Sequence, residues 1–189
     1  MKILGIVCSP REGGNTEILV REALEGVREA GGEPDLVLVG DMDIAPCNAC
    51  GGCLKDGQCL IDDDMQEIYA RLESADGIIF GTPVYFINVT AQAKAVMDRT
   101  YGFLRTGKLK GKVGAAIVAA RRVGAGQVLS LIYTFFSVHR MIPAGGGIGY
   151  GREKGEVKEG PGGSPGITAL QEARSVGKNV VRLAKRLGF

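Results

Sequence analysis

Five short apolar runs, each closed off by glycine, proline or polar residues, recur at 2–7 (KILGIV), 35–39 (DLVLV), 76–81 (DGIIFG), 113–119 (VGAAIVA) and 141–144 (MIPA). Runs that are apolar at nearly every position suit strands buried on both faces. Between them the apolar residues change to helical spacing. Ile18, Leu19, Ala23, Val27 and Ala30 recur this way within 15–30, and Val176, Val180, Leu183 and Leu187 within 167–187. Further helices are expected at about 63–73, 89–101 and 125–139. Strands alternating with helices predict a parallel sheet covered on both faces. Five such units in 189 residues fit an α/β, flavodoxin-like doubly wound sheet, strand order 2-1-3-4-5, better than the longer dinucleotide-binding fold. A single domain over 1–189 is expected, with 145–166 (GGGIGYGREKGEVKEGPGGSPG) read as a long loop, either connector or lid.

Composition changes this picture mainly by exclusion. With 45% hydrophobic residues, one domain can bury a sizeable core without disulfides. A formal net charge of +2 on scattered basic residues leaves no basic stripe for nucleic acid. The longest apolar stretches, such as 113–120, fall short of the roughly 18–20 residues that cross a membrane. The opening MKILGIV has no secretory pattern, so a cytoplasmic protein with mostly reduced thiols is expected.

In an open parallel sheet, ligands bind beyond the carboxyl ends of the strands, where strand order reverses. Three loops fall there. The first, 8–17 (CSPREGGNTE), brings Ser9, Arg11, Asn15 and Thr16 together with Gly13 and Gly14 at a helix amino terminus. Short donors, a fixed charge and inward-turned amides make a phosphate cradle. It is neither GxxxxGK[ST] nor GxGxxG, so a phosphomonoester such as that of FMN fits better than a triphosphate or pyrophosphate. The second loop, from 81 (GTPVYFINVT), places Pro83, Tyr85 and Phe86 where they could wall a planar ring, with Asn88 or Thr90 capping the next helix. The third, 119–127 (AARRVGAGQ), offers Arg121 or Arg122 as counter-charge to a reduced flavin, and Gly124 and Gly126 for close backbone approach.

Four of the five cysteines sit within 47–59 (CNACGGCLKDGQC), in a cysteine-rich stretch at 41–61. The spacing C-x2-C-x2-C-x5-C, through Cys47, Cys50, Cys53 and Cys59, can wrap a [4Fe–4S] cube on a glycine-bearing loop. Zinc bound by four thiolates and metal-free thiols are the alternatives. Structural zinc usually takes two knuckles set farther apart. Cys8 reads as a small buried residue, His139 as a helix-end residue, and Asp62, Asp63 and Asp64 as cap and first-turn charges of the second helix.

The stretches MKILGIVCSPREGGNTEILV and GTPVYFINVTAQAKAVMDR, with the compact cysteine motif, resemble the iron–sulfur flavoprotein family. That family is a branch of the NADPH-dependent FMN reductase superfamily with a flavodoxin-like fold. The resemblance implies non-covalent FMN, one [4Fe–4S] cluster per subunit, homodimers or homotetramers, and electron transfer among ferredoxin, cluster, flavin and small oxidants. It places FMN contacts at Ser9, Arg11, Gly14, Asn15 and Thr16, at Pro83, Val84, Tyr85, Phe86 and Asn88, and at Ala120, Arg121, Arg122 and Gly126. Three positions depart from the family pattern: Cys8 and Ile87 stand where glycine is common, and Ala119–Ala120 replace a glycine-rich loop start. The expected activity is that of a flavin-dependent oxidoreductase passing electrons to dioxygen, peroxide or a quinone. An NAD(P)H-dependent FMN or quinone reductase with structural or zinc-binding cysteines, and a flavin-binding redox sensor, are the alternatives.

Overall fold

In a computed structural model describing all residues 1–189, the apolar runs become one five-stranded parallel sheet, ordered β2-β1-β3-β4-β5. The elements are β1 (Lys2–Val7), α1 (Asn15–Glu29), β2 (Glu33–Leu38), α2 (Met65–Ser74), β3 (Gly77–Pro83), α3 (Ala91–Arg99), α4 (Tyr101–Thr106), β4 (Val113–Ala120), α5 (Ala125–Val138), β5 (Ile142–Tyr150) and α6 (Ala169–Arg186). This is the flavodoxin-like order. No helix is long and apolar enough to cross a membrane.

Successive strand residues face opposite sides of the sheet, so the apolar runs feed two cores. Leu4, Ile6, Ile78, Phe80, Ala116 and Val118 pack under α2 to α5. Ile3, Val7, Ile79, Val113, Ala115 and Ile117 pack under α1 and α6. Those two helices cross at backbone contact: a Cβ on Gly177 would stand 1.8 Å from the Ala23 carbonyl oxygen, and one on Gly26 2.1 Å from that of Arg174.

Three expected boundaries are corrected. β2 begins at Glu33 rather than 35, and takes in Pro34; as an edge strand it tolerates a residue with no N–H to donate. β5 runs on through Tyr150, so the first part of the expected 145–166 loop is strand. Glycine is depleted in strands, but here the space above the sheet excludes side chains. A Cβ on Gly146 would stand 2.5 Å from the Tyr133 hydroxyl, and one on Gly149 2.7 Å from Leu19. The single helix expected at 89–101 is two, α3 and α4, because the chain leaves helical geometry at Thr100 (φ −78°, ψ 8°). The Thr100 hydroxyl donates to the Met97 carbonyl at 2.7 Å across that break.

Candidate functional site

At the carboxyl end of the sheet the loops after β1, β3, β4 and β5 enclose a cleft of about 210 Å³. Its first wall is the turn into α1. Gly13 adopts a left-handed φ of 59°, and its amide donates to the Glu17 carboxylate at 2.7 Å, which also accepts from Arg21 Nε at 2.8 Å. Arg11's amide donates to Ser9 Oγ at 3.2 Å. Gly14 is the N-cap of α1 and supplies no side-chain cap. The amides of Asn15, Thr16 and Glu17 make no hydrogen bond within the chain. Thr16 lines the cleft, and its Oγ1 is buried with no partner either. A helix start with free amides and an orphaned hydroxyl leaves donors for an external anion.

The remaining walls are Pro83, Val84 and Tyr85 after β3, Ala119 to Arg121 at the end of β4, and Gly151, Arg152 and Lys154 after β5. Val84's amide donates to Ala119's carbonyl at 2.9 Å and Gly151's to Ala120's at 3.0 Å, tying the walls together. Arg11, Arg121, Arg152 and Lys154 give the cleft four cations, and no carboxylate residue lines it.

Ten of the fourteen expected ring and phosphate contacts meet here: Ser9, Arg11, Gly14, Asn15, Thr16, Pro83, Val84, Tyr85, Ala120 and Arg121. Phe86, Asn88, Arg122 and Gly126 do not line the cleft. Phe86 and Ile87 form the tip of a two-residue turn closed by reciprocal 2.9 Å bonds between Tyr85 and Asn88. Both have left-handed φ, 50° and 60°, and Phe86 projects fully into solvent. Asn88's side chain accepts from the Val89 amide at 2.8 Å, and Thr90 caps α3 through the Ala93 amide at 3.1 Å. Gly151, Arg152 and Lys154 were not foreseen. Asn15 fixes their loop, donating to Glu153's carbonyl at 2.9 Å and accepting from Gly155's amide at 2.8 Å. The available signal was two basic residues just after the last strand, obscured because β5 ends later than its apolar run.

The second candidate region is the cysteine loop between β2 and α2. Cys47, Cys50, Cys53 and Cys59 all line one cavity of about 400 Å³, which Arg99 and Tyr101 also line. Left-handed Ala49, Gly51 and Gly57 (φ 56°, 75° and 83°) turn the chain around it. No three His, Cys, Asp or Glu side chains are gathered closely enough to hold one metal ion. The loop's apex rests on α4: a Cβ on Gly102 would stand 2.1 Å from Gly57's carbonyl oxygen and 3.2 Å from Cys53 Cβ. Its two ends converge on Arg99. The guanidinium donates to Ala45's carbonyl at 2.8 Å, to Ile61's at 3.3 Å, and to both Asp63 oxygens at 2.6 and 2.9 Å. Leu54 and Leu60 are exposed beside it, and Ile61 is half-buried.

The other candidates resolve on burial. Cys8 is fully buried, and burial pushes its thiol far above the ordinary value, so it is an inert core residue. His139, buried at the end of α5, sits 3.0 Å from Thr100 Oγ1, and burial lowers its pKa. Asp63 precedes Asp64, the N-cap of α2, and accepts from Met65's amide at 3.1 Å, but it is also the buried partner of Arg99. That role lay beyond a first-turn charge.

A family model described as NADPH-dependent FMN reductase matches residues 1–153. The chain belongs to that family. An iron-sulfur flavoprotein of Methanocaldococcus jannaschii is 41% identical over 196 aligned residues, which cover 98% of each chain. Another, from Methanosarcina thermophila, is 44% identical over 148 residues, 77% of this chain and 78% of its own. Within the FMN reductase family the chain therefore falls in the iron–sulfur flavoprotein branch, and it is a flavin-dependent oxidoreductase. Solved structures agree on the fold. A WrbA-like flavodoxin from Agrobacterium tumefaciens superposes with a TM-score of 0.64 at 18% identity, over 98% of this chain and 97% of its own. An archaeal flavodoxin does so at 0.63 and 15%, over 98% and 99%.

Proposed function

We propose that this protein is an iron–sulfur flavoprotein that moves electrons between a one-electron donor such as ferredoxin, a [4Fe–4S] cluster on Cys47, Cys50, Cys53 and Cys59, and FMN, reducing dioxygen, peroxide or a quinone. The observation that carries this reading is the convergence of all four loop cysteines on one cavity, in a chain whose strand ends form a separate cationic cleft. Tetrahedral zinc needs its thiolates drawn tightly around one ion, with Zn–S about 2.3 Å. Four cysteines lining one cavity on a glycine-bearing loop fit the wrap that a cube needs.

The chain's own residues divide the work. Thr16 Oγ1, Ser9 and the free α1 amides hold a phosphomonoester, while Arg11, Arg152 and Lys154 balance its charge. Pro83, Val84 and Tyr85 on one wall of the cleft and Ala119 to Arg121 on another would hold the ring, and the Arg121 charge would offset negative charge on reduction. When bound, the two cofactors convert between one-electron and two-electron transfer, which no side chain here can do alone. Exposed Leu54, Leu60 and Phe86 fit a homodimer or homotetramer that covers them.

The testing measurement is iron, acid-labile sulfide, zinc and FMN content of protein kept anaerobic, with visible spectra before and after dithionite. About four irons and four sulfides with one FMN per chain, as the cube requires, is the expected result. FMN with zinc or no metal overturns it. The second reading, an NAD(P)H-dependent FMN or quinone reductase, is favoured by the matched family's description. Rapid bleaching of bound FMN by NADPH or NADH would select it, and inertness to both would remove it.

A further inference from the structure

Arg99 is the most enclosed cation in the chain, its side chain wholly inaccessible to solvent. It ends α3, where a positive charge complements the helix dipole. Its backbone is held from the other side, since the buried Tyr69 hydroxyl donates to Arg99's carbonyl at 2.6 Å. Both Nη atoms are spent on Ala45, Ile61 and Asp63, the residues flanking the cysteine loop. Nε is buried with no partner, and the guanidinium lines the same cavity as the four cysteines.

We propose that Arg99 is a positioning residue of the cysteine centre: it clasps both ends of the loop and sets an enclosed positive charge, with one uncommitted N–H, at the cavity that the four cysteines line, so a bound cluster is reduced at a higher potential. The assignment rests on the cluster reading above. One-electron reduction adds one negative charge to the centre, and a nearby cation with an N–H donor stabilises that charge. Asp63 supplies the opposing contribution. It steadies the clasp, but its own negative charge disfavours reduction.

The opposition gives a test that separates clasping from potential-setting. Arg99→Gln, Arg99→Lys and Asp63→Asn are compared with wild type as anaerobic, cluster-bearing protein, by EPR-monitored redox titration and by amide exchange over 43–63. All three variants should exchange at least about tenfold faster across the loop, because each opens the same buried pair. Potentials should fall in the order wild type, Arg99→Lys, Arg99→Gln, while Asp63→Asn should match or exceed wild type. Asp63→Asn moving the same way as Arg99→Gln, or Arg99 variants titrating as wild type, would overturn the assignment. If Arg99→Gln does not fold, Arg99→Lys and Asp63→Asn still give the sign. Wild type that carries FMN but no iron or sulfide would instead remove the cluster reading itself.

Discussion

The cleft at the strand ends and the cysteine loop draw their order from different sources. The cleft is assembled from the ends of β1, β3, β4 and β5 and the start of α1, elements already fixed by two apolar cores. The cysteine loop is not part of the sheet and is held mainly at points: the Arg99 clasp and Gln66 at its ends, Cys59 against the core, and Gly57 against Gly102 at its apex. A site made from core elements loses ligand affinity when a contact residue changes, and folds regardless. A site held by a clasp loses its shape when the clasp opens.

The largest expected effect is on the clasp. Arg99→Met leaves Asp63 buried without its counter-charge, a change that costs about 3–5 kcal/mol, read as a lower midpoint in urea unfolding of metal-free protein. The same pair sets a pH limb. Burial raises the Asp63 pKa, but Arg99 and the amides of Ala45 and Met65 outweigh that and hold it below the ordinary value. Its folded pKa therefore lies below the unfolded value of about 3.9. The stabilisation is present above that value and is lost as pH falls through the folded pKa. Wild type should weaken on acidification below about pH 4, and Asp63→Asn should flatten that limb.

Next comes a change confined to the other side of the sheet. Gly177→Ala puts a Cβ where Ala23's carbonyl oxygen stands at 1.8 Å, so α6 must move off α1 at a cost of about 3 kcal/mol. α1 carries the phosphate cradle at its amino terminus, so FMN content per folded chain should drop while iron content holds. Equal loss of both would mean that the two regions are not independently supported.

Thr16→Val is smaller and more selective. Its hydroxyl is buried and unpartnered, so a hydrogen bond to a bound phosphate is its only use, worth about 1.5–3 kcal/mol for a charged acceptor. FMN affinity should fall at least about tenfold and riboflavin affinity should not change, by fluorescence titration of flavin-free protein. The flavin-free variant should melt no lower than wild type, because removing an unsatisfied buried hydroxyl costs little.

What the sequence made legible follows the same division. Strand order and the α1 cradle were readable because their signals are local: an apolar run, then short donors and glycines at a helix start. Arg152 and Lys154 were not, since the glycines of 145–149 conceal the strand that delivers them. Their pairing with β4 is set by Tyr133, Leu19 and Ile117 packed above and below, which no window of neighbouring residues contains. Arg99 reads as an ordinary basic residue in a last helical turn. Its role depends on Asp63, 36 residues away, and on the loop whose ends it joins. Phe86 differs again: an aromatic after a strand reads as a ring wall, and the turn at 85–88, whose geometry no apolar pattern encodes, carries it to the surface.

That turn carries the smallest and most local effect. A two-residue turn with both φ positive normally selects asparagine and glycine, and Phe86 and Ile87 occupy it instead. Left-handed geometry costs an L-residue about 1–2 kcal/mol, more for a β-branched one. Glycine removes that strain but gives back part of the gain through its freer unfolded chain. Ile87→Gly should therefore raise the stability of the metal-free, flavin-free chain by up to about 1 kcal/mol, seen as a higher melting temperature. Ile87 is half-exposed, and Gly124 packs beneath its backbone rather than its side chain alone, so little burial is lost. If stability falls instead, the Ile87 side chain contributes contacts that outweigh its backbone strain. The rim of the cleft would then be held at a point, as the cysteine loop is, rather than by the sheet.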